Sequence, residues 1–456
     1  MINTLYLPEL REMLAEGNQA ELAEFCGALH PARTAEFMEG LLPGEAWRVL
    51  QFTDTGTRRE IFRFFEPAKQ IAILEGEPRQ EIAHFIAELP ADERVDLLHE
   101  VTPKIVEEIL PLIESEERRD IIRLRSFPEG TAGAMMTTDF AKLSENLTVR
   151  EALEELGHQA EHLETIYYIY LVDDQDHLDG VVSTRKLVSA IGKPTLRLAD
   201  LMDTNLVTVH VMDDQEAVTH VVARFDLLAI PVVSDDRRIL GIITHDDVID
   251  VVREEAQEDA QKMSAVSPLD DSYMQTDVLT MSWKRGMWLG ILFITGSLTA
   301  FALARYDKHL QQEEWKWLVL FIPLIISTGG NSGSQSATLV ISAMSSGDVK
   351  ISDWWQIAGR ELLCGIILGV CLAVMGYIGA VFQAPSLAEA VIVPATVLLV
   401  VTMGTFVGSM LPLFFKLLNL DPALMSNPFV SAISDVLGII IYMNVALLLM
   451  RQATGA

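Results

Sequence analysis

The residue of this sequence with the clearest chemical potential is an aspartate inside its last apolar stretch. Asp435 lies in SNPFVSAISDVLGIIIYMN (426–444), and no Lys or Arg lies deep enough in the second half of the chain to pair with it. A carboxylate in a helix that crosses a membrane costs about 3 kcal/mol on insertion scales, so such groups usually face water, a partner or an ion. We expect a cation as the partner; the alternative is a protonated Asp435 hydrogen-bonded to a neighbouring Ser or Asn.

Neutral oxygen atoms accompany this carboxylate on the same segment and on a second polar segment, STGGNSGSQS (327–336). The residues that carry them are Asn427, Ser431, Ser434, Asn331, Ser332 and Ser334. Oxygen ligands are the ones that Mg²⁺, Ca²⁺ and Mn²⁺ prefer. Because Mg²⁺ releases its waters reluctantly, one carboxylate with neutral oxygens would hold a hydrated ion loosely enough for it to move on.

The second polar segment has apolar residues on both sides, in PLIISTGGNSGSQSATLVI (323–341). Gly and small hydroxyl or amide residues there permit either close helix packing or a broken helix. Irregular backbone inside a membrane survives only where protein or water satisfies it, so we expect this segment to line a cavity. Three Gly-x-x-x-Gly pairs also indicate tight helix packing: Gly286/Gly290, Gly365/Gly369 and Gly404/Gly408.

The uneven distribution of charge along the chain indicates which part of it crosses a membrane and carries these residues. The formal net charge is −30, yet residues 281–456 hold nine Lys/Arg and nine Asp/Glu, so the whole excess lies before them. That neutral half contains five apolar stretches, each long enough to cross a hydrocarbon core of about 30 Å as a helix. They lie near 286–304, 317–345, 362–383, 391–415 and 428–450. We therefore predict an integral membrane protein with its transmembrane domain at 281–456.

The orientation of the chain is predicted from its first residues. MINTLYLPELREMLAEGNQAEL is typical of an amphipathic helix, and it lacks the charged, apolar and cleavage regions of a signal peptide. We expect the acidic half to lie in the cytoplasm. After five crossings of the cell (inner) membrane the C-terminus would lie outside, which the Lys/Arg bias of the short loops supports only slightly.

Up to residue 129, proline recurs just before short amphipathic segments such as HPARTAEFM, LPGEAWRVL, LPADERVDLL and TPKIVEEIL. Proline at the first helical position followed by acidic residues indicates a helix start, and a spacing of about twelve residues predicts stacked short helices. We predict an all-α solenoid over 1–129. Solenoids are usually binding or mechanical parts, so a protein-interaction scaffold is the alternative to a regulatory role.

An internal repeat follows, in which the segment from Met136 is echoed by the segment from Met202. Each copy reads as strand, helix, two strands joined by an acidic turn, and helix. The acidic turns are VDDQDHLDGVV and VSDDRRILGII. This resembles a pair of CBS domains, over 130–200 and 201–252, a module that commonly binds adenine nucleotides or ions and regulates a neighbouring domain.

The CBS resemblance carries an expectation about nucleotide. In that family a Ser/Thr-x-x-Asp after the last strand holds a ribose, and Thr244–Asp247 matches it in the second copy. The first copy has Ser183–Lys186 instead, with Lys186 in the place of the acid. We therefore expect ATP to bind weakly or not at all at the first copy, and a purely structural CBS pair remains the alternative to a nucleotide sensor.

An acidic segment, DDVIDVVREEAQEDAQKM (246–263), begins the connection over 247–280 between the repeat and the membrane half. Carboxylates recur in it at three- and four-residue steps, which places them on one stripe of a helix. They are Asp247, Asp250, Glu254, Glu255, Glu258 and Asp259. Such a run is usually a solvated face, but its place directly before the membrane domain favours a role in controlling that domain.

The order of these parts resembles the MgtE family of magnesium channels or transporters over essentially the whole chain. PLIISTGGNSGSQSAT (323–338) and DPALMSNPFVSAISDVLG (421–438) are its most diagnostic motifs. The resemblance implies a multidomain membrane protein: an all-α superhelical N domain, an α/β CBS-pair domain and an α-helical transmembrane domain with five helices. It also implies a homodimer in membrane lipid with the pore between subunits, Mg²⁺ selection by Asp435, and pore-lining positions at Asn427 and Ser431.

The family closes its pore when cytosolic Mg²⁺ bridges acidic surfaces of the N domain, the CBS pair and the connecting helix. The resemblance places these metal sites on Glu60, Asp92 and Asp96; on Asp214, Glu216 and Asp226; and on Asp247, Asp250, Glu255, Glu258 and Asp259. The charge agrees physically, because a half-protein that carries −30 should spread by self-repulsion until divalent ions neutralise it. Mg²⁺ would then be both transported and regulatory.

Two other classes of function remain open. One is an exchanger that moves a divalent ion against Na⁺ or H⁺, which a single deep acid disfavours. The other is a membrane-bound enzyme or receptor, but the membrane half lacks a His, Cys or paired-carboxylate arrangement for catalysis, so we expect no enzyme. Cys26, Cys364 and Cys371 are not spaced as a metal motif, and an acidic chain gives no reason to expect a nucleic-acid partner. Oxygen ligands do not discriminate among Mg²⁺, Mn²⁺, Co²⁺ and Ni²⁺.

Overall fold

A computed structural model describes residues 6–160, 163–269, 273–274, 276–424 and 427–454, and the side chains up to Arg451. The chain forms two compact units, Met1–Val251 and Val252–Ala456, which are described separately. The first unit contains the helical stack and the repeat. The second contains the apolar helices.

The first unit begins with a stack of short helices. Helices α1 to α10 are Leu7–Glu16, Gln19–Ala28, Pro31–Met38, Pro43–Leu50, Thr55–Arg63, Pro67–Gly76, Arg79–Glu88, Ala91–Glu100, Pro103–Ile109 and Ser115–Leu124. Proline takes the first position of α3, α4, α6 and α9, where its fixed φ suits a helix and its missing N–H costs nothing. The predicted all-α architecture of this part is confirmed.

Aromatic residues form the centre of the stack. Trp47, Phe62 and Phe85 are almost fully buried, and the Phe85 ring packs edge-on against the other two with centroids 5.2 and 4.8 Å away. Beside them the buried Lys69 ammonium donates hydrogen bonds to the carbonyls of Met38 and Glu39, at 2.6 and 2.8 Å. The lysine thus satisfies carbonyl groups that the end of α3 leaves without helical partners.

The repeat folds as two similar α/β halves after a short helix α11, Ala132–Met135. The first half is β1 Phe140–Ser144, α12 Val149–Gln159, β2 Thr165–Val172, β3 Leu178–Ser183 and α13 Thr184–Ser189. The second half is β4 Val209–His210, α14 Gln215–Phe225, β5 Ala229–Val233, β6 Ile239–Thr244 and then α15 His245–Met263. In each described sheet the first strand pairs parallel to the second, and the second antiparallel to the third. The predicted strand and helix order is confirmed.

The helical stack and the second half of the repeat share an apolar core. Ala91, Val95 and Leu124 of the stack pack in one buried cluster with Val218 and Val222 of α14. Apolar burial of this kind stabilises contact between the two parts whatever ions are present. Any electrostatic repulsion between the helical stack and the repeat must therefore overcome this hydrophobic contact.

The second unit contains five helices long and apolar enough to cross a membrane, counted over the described residues. They are α16 Val278–Ala304, α19 Ile322–Ser345, α20 Trp354–Val381, α22 Ile392–Leu417 and α23 Asn427–Thr454. The short helices α17 Asp307–Leu310, α18 Lys316–Val319 and α21 Leu387–Ala390 lie between them. The five predicted stretches are confirmed, and the glycine-rich polar segment is part of one continuous helix, α19, rather than a broken one.

Glycine lets α19 and α22 come into backbone contact. A Cβ atom at Gly404 would lie 2.7 Å from the Gly329 carbonyl oxygen, and one at Gly408 would overlap the carbonyl of Gly333. Gly365 and Gly369 of α20 meet α22 in the same way, whereas Gly286 and Gly290 have no described atom within 4 Å of such a Cβ. Two of the three predicted pairs therefore pack helices together within the described unit.

Candidate functional site

The last helix presents a polar row. Asn427, Ser431 and Asp435 follow one another at four-residue steps on α23, so they lie on one face. Gly330 of α19 lies opposite, where a Cβ atom would stand 3.1 Å from Ser431 Oγ and 3.3 Å from Asp435 Oδ1. A side chain at this position would be in tight contact with Ser431 and Asp435, so glycine favours the close approach of the two helices here.

Hydrogen bonds join this row to the polar segment of α19. The Ser334 hydroxyl donates to the Asn427 carbonyl at 3.0 Å and lies 3.0 Å from the Ser431 hydroxyl. The Thr338 hydroxyl donates to Asn427 Oδ1, also at 3.0 Å. The two motifs that the sequence singled out therefore meet side by side.

An open cavity of about 560 Å³ adjoins this junction. Its walls are Asn331, Ser334, Gln335, Thr338, Leu339 and Asn427. The predicted cavity along the polar segment is thus present, with amide and hydroxyl groups in its walls. Asn427 reaches it directly, whereas Asp435 lies half-buried two turns further along the same face.

Two of the neutral oxygens proposed around Asp435 face elsewhere. The buried Ser332 hydroxyl donates to the Val401 carbonyl of α22 at 3.2 Å. Ser434 is also buried, next to Val400 and Gly404, and its hydroxyl has no hydrogen-bond partner in the described part of the chain. Both residues lie on packed helix surfaces, so the expectation that they accompany the carboxylate is wrong.

Asp435 itself forms no hydrogen bond or ion pair with any residue that the structure describes. Neither Ser431 nor Ser434 donates to it, which removes the support for a protonated aspartate held by neighbouring hydroxyl groups. A half-buried carboxylate without a protein partner needs water or a cation to be stable.

The sequence reasoning missed a second carboxylate within a spanning helix. The third apolar stretch was expected to begin at residue 362, but α20 already begins at Trp354. Glu361 therefore lies two turns inside the helix, where the buried Ser336 hydroxyl of α19 donates to its carboxylate at 2.6 Å. The sequence argument counted one acid in the apolar stretches, whereas the longer α20 also carries Glu361. The signal for its earlier start was the Trp354-Trp355 pair, because tryptophans often mark the membrane interface.

In the first unit, Asp92 and Asp247 lie within electrostatic reach of each other. Asp92 is only 8% exposed, and burial, then the negative charge of Asp247, raise its pKa well above the usual range. Asp92 Oδ1 has no hydrogen-bond partner within the described residues. Asp247 accepts a hydrogen bond from the Thr244 hydroxyl at 2.5 Å, but burial still raises its pKa. Asp92 Oδ1 and the nearby Asp247 carboxylate could therefore bind a cation together.

Further charged groups, which the sequence did not single out, surround this pair. Burial and the charges of Glu93 and Asp247 raise the pKa of Glu164 to about 7. Arg63 lies among them, with Nε 3.4 Å from Glu93 and a terminal nitrogen 3.6 Å from Asp246. One arginine thus supplies positive charge to an acidic group drawn from the stack and both halves of the repeat. No sequence pattern marked Glu164 or Arg63.

A cavity of about 860 Å³ adjoins these groups within the first unit. Glu60 lines it, as do Arg59, Arg63, Glu93 and Glu164. Asp96, one helical turn after Asp92, and Asp250, one turn after Asp247, are both exposed. The structure therefore brings Asp92 and Asp247 together with Glu60 nearby, whereas Asp96 and Asp250 face solvent in this unit.

The predicted metal residues of α14 lie at its two ends. Asp214 caps the start, where its carboxylate accepts the Glu216 N–H at 2.9 Å, and Asp226 ends the helix with φ +51°. At 1.5 Å per residue the two positions are roughly 18 Å apart along the axis. Asp214 and Asp226 of one chain therefore do not share an ion.

The remaining predicted residues lie on the part of α15 that belongs to the second unit. Asp259 accepts a hydrogen bond from the Ser345 hydroxyl at 3.0 Å, and burial, with the charge of Asp421, raises its pKa. Lys262 lies 2.6 Å from both Glu258 and Asp421. Although burial opposes its charge, these hydrogen bonds raise the pKa of Lys262. Glu255 precedes this group and is half-buried.

The described carboxylates do not form a complete set of ligands for a metal ion. Among the described residues, no three His, Cys, Asp or Glu side chains are arranged to hold one metal ion. Pairs such as Asp92 and Asp247 fit an ion that keeps most of its water shell, as Mg²⁺ does.

Comparison with known protein families matches the chain in three parts. A model described as a divalent cation transporter matches residues 322–445. The MgtE intracellular N domain matches residues 29–130, and the CBS domain matches residues 132–193 and 198–254. The three models follow one another in the order of the stack, the repeat and the apolar helices.

Two relatives match between about three quarters and nearly all of the chain. The magnesium transporter MgtE of Thermus thermophilus is 34% identical over 97% of this chain and 98% of its own. That of Enterococcus faecalis is 36% identical over 74% of this chain and 73% of its own.

Two solved structures are similar to about half of the chain. The soluble part of a magnesium transporter is 34% identical, with a TM-score of 0.51, over 55% of this chain and 97% of that one. The cytosolic domain of the Mg²⁺ channel MgtE in complex with ATP is 32% identical, with a TM-score of 0.50, over 53% of this chain and 98% of that one. With a relative 34% identical over nearly its full length, the chain belongs to the MgtE family of magnesium transporters.

Proposed function

We propose that this chain forms a Mg²⁺ channel of the cell membrane that imports Mg²⁺ and is closed by Mg²⁺ in the cytosol. The observation that carries the proposal is the polar row of Asn427, Ser431 and Asp435, whose carboxylate has no partner within the described residues. A carboxylate without a protein partner needs a cation. Similarity to magnesium transporters indicates that this cation is Mg²⁺.

The chemistry of the row favours transfer over tight storage. Asp435 supplies the one full charge, while Asn427 and the hydroxyl groups beside it offer neutral oxygens to the water shell of the ion. Mg²⁺ bound through its waters to few protein ligands exchanges more readily than Mg²⁺ in a complete protein cage. We assign selection of the divalent ion to Asp435, and lining of the path to Asn427 and Ser431.

The proposed pore lies between two copies of the chain in the lipid membrane. The cavity beside α19 and α23 is open on one side, and one chain contributes one carboxylate from the row. A second copy with the same row would close the path and place two carboxylates around one ion. The acidic half would lie in the cytoplasm and the C-terminus outside, as an odd number of crossings requires.

Regulation is assigned to the acidic groups of the cytoplasmic part, each of which the family resemblance implies. Asp92 and Asp247 form the best-supported pair, since burial makes their repulsion strong and one oxygen of Asp92 lacks a described partner. The other proposed residues are Glu60, Asp96, Asp214, Glu216, Asp226, Asp250, Glu255, Glu258 and Asp259. Mg²⁺ that binds the compact arrangement better than the separated one shifts the population toward the compact, closed state.

Nucleotide binding belongs to the proposal only in a restricted form. A relative's cytosolic domain, 32% identical, is known in complex with ATP. In this chain Lys186 stands at the end of the first motif, and Asp247 of the second motif lies beside Asp92. We propose that ATP binds weakly or not at all at the first motif, so Mg²⁺ is the principal regulator.

A divalent cation exchanger is the second candidate, and Glu361 is the observation that favours it. The sequence analysis disfavoured an exchanger because it counted a single deep acid. Glu361 is a second carboxylate in a spanning helix and could bind a coupling ion. Flux in liposomes separates the two. A channel carries Mg²⁺ down its own gradient without Na⁺ or a proton gradient, whereas an exchanger stops when both are removed.

The proposal is tested by Mg²⁺ uptake into liposomes that contain the purified protein. Uptake that rises with the inward Mg²⁺ gradient and falls when Mg²⁺ is added on the cytoplasmic side supports both parts. Protein that takes up no Mg²⁺ under any gradient would contradict the transport function itself. Parallel uptake of Mn²⁺, Co²⁺ and Ni²⁺ measures selectivity.

A further inference from the structure

Helix α19 is held on two opposite faces. Its front face reaches α23 through Ser334 and Thr338, which both donate hydrogen bonds to Asn427. Its back face reaches α22 and α20 through Ser332 and Ser336. Asn331 and Gln335, which also line the cavity, project between these two sets of bonds, so the rotation of the helix about its axis decides where they point.

Glu361 is the acceptor for the back face. The Ser336 hydroxyl is only 4% exposed and donates to Glu361 Oε2 at 2.6 Å, a short bond of the kind that a carboxylate makes. Removal of the acceptor would leave a buried hydroxyl without a partner, which destabilises this arrangement relative to a rotated one.

The position of Glu361 is itself fixed by α22. The Thr405 hydroxyl lies 3.0 Å from the Thr402 carbonyl of its own helix and 3.3 Å from the Glu361 carbonyl, and Gly365, one turn later, is in direct contact with Thr405. A Cβ atom at Gly365 would overlap the Thr405 hydroxyl, so α20 and α22 have little freedom to slide. The backbone that carries Glu361 is therefore held against α22, and its carboxylate reaches α19 from this position.

The bond is directly behind the cavity. Ser336 follows Gln335, whose exposed side chain lines the cavity, and lies five residues after Asn331, another wall residue. Successive residues of a helix differ by about 100° around its axis, so a fixed Ser336 fixes the direction of Gln335. A rotation of one residue step would turn the amide side chains of Asn331 and Gln335 away from the cavity.

We propose that Glu361 is a positioning residue for ion permeation: it accepts the Ser336 hydrogen bond and so holds α19 with Asn331 and Gln335 toward the cavity. The inference rests on the proposed function, because the cavity is taken as part of the ion path. Acceptance of the hydrogen bond is the requirement, so a glutamine in its place serves nearly as well, whereas an alanine does not.

Thiol labelling tests the position of α19 without any transport. In a background with Cys26, Cys364 and Cys371 replaced by Ser, Gln335→Cys should react with a charged thiol reagent from the water-filled cavity. Adding Glu361→Ala should slow this reaction by about tenfold, the factor that corresponds to loss of one hydrogen bond to a charged group. Adding Glu361→Gln should leave the rate close to that of Gln335→Cys alone. Equal rates in the Gln and Ala backgrounds, or no change in either, would overturn the proposal.

Ion selectivity, measured per folded molecule, tests the consequence. Glu361→Ala and Ser336→Ala should each lower the ratio of Mg²⁺ to Na⁺ flux by about tenfold, and the double variant should be no worse than either, since both remove one bond. Glu389→Ala is the matched control, because it breaks a Ser386–Glu389 hydrogen bond at the start of the short helix α21. Additive losses in the double variant, or wild-type selectivity in Glu361→Ala, would refute the role. A wild-type protein without Mg²⁺ flux refutes the proposed function instead and leaves the labelling result intact.

Discussion

Neutralisation of Glu164 should stabilise the contact between the helical stack and the repeat near neutral pH. Burial and the charges of Glu93 and Asp247 raise the pKa of Glu164 from 4.5 to about 7. At roughly 1.4 kcal/mol per pH unit, this shift corresponds to about 3 kcal/mol. The side chain retains partial contact with solvent, so we take about half, or roughly 1.5 kcal/mol, as the destabilisation of the compact state by the charged form.

The sign follows from the raised pKa. The compact arrangement disfavours the charged carboxylate, so it gains stability as pH falls through 7 toward the ordinary value of 4.5 and loses it as pH rises through 7. In Glu164→Gln the charge is absent at every pH. For this group, the variant should therefore be as compact at pH 8 as the wild type is at about pH 4.5.

Limited proteolysis at the linker near Glu129, in Mg²⁺-free buffer with the full-length protein, measures this equilibrium. Between pH 4.5 and pH 8, wild-type cleavage should speed up about tenfold more than cleavage of Glu164→Gln, the factor that about 1.4 kcal/mol gives. Glu154→Gln, at an exposed position of α12, is the matched control and should behave as the wild type. If Glu164→Gln keeps the pH dependence of the wild type, the electrostatic reasoning for this site is wrong.

Three further predictions follow from other contacts. Arg63→Gln removes positive charge that neutralises Glu93 and Asp246, and partly exposed pairs of this kind contribute about 1 kcal/mol or less. The Mg²⁺ concentration that gives half-protection of the linker from proteolysis should therefore rise about twofold, and the response should steepen. An unchanged half-protection concentration would contradict this. Gly408→Ala places a Cβ on the Gly333 carbonyl, so thermal unfolding in detergent should show a loss of about 1–3 kcal/mol, whereas wild-type stability would show that α19 and α22 can separate without cost. Lys186→Asp restores the acid of the first nucleotide motif, so calorimetry should detect tighter ATP binding than in the wild type; equal affinities would mean that this position does not limit binding.

The sequence was sufficient for the element order because each element has a local cause. Proline at helix starts, repeated strand patterns and apolar stretches of membrane length act over a few to about thirty residues. The sequence was less informative about which residues surround Asp435. Ser332 and Ser334 are two residues apart in one polar segment, yet Ser334 lies on the cavity side of α19 and Ser332 on its packed side. Which face of a helix meets its neighbour depends on glycine contacts such as Gly330 against α23, and these are set by tertiary packing.

The acidic cluster shows the same limit for charge. The carboxylates of α15 were visible as a stripe, but the sequence did not indicate that Arg63 and Glu164 come to the same place from distant segments. The apolar contact of Val95 with α14 was equally invisible, although it determines how far repulsion can separate the two parts. The predicted domain bounds and the roles of the individual carboxylates stay predictions.

The central claim is that the charge of Asp435 draws Mg²⁺ into the path, and Asp435→Asn tests it most directly, since it keeps the size of the side chain and removes its charge. Mg²⁺ uptake and the ratio of Mg²⁺ to Na⁺ flux would be measured in liposomes that contain equal amounts of folded wild type, Asp435→Asn and the control Glu389→Gln. We predict that Asp435→Asn loses Mg²⁺ uptake or its selectivity while the control retains both. Wild-type uptake and selectivity in Asp435→Asn would contradict the account.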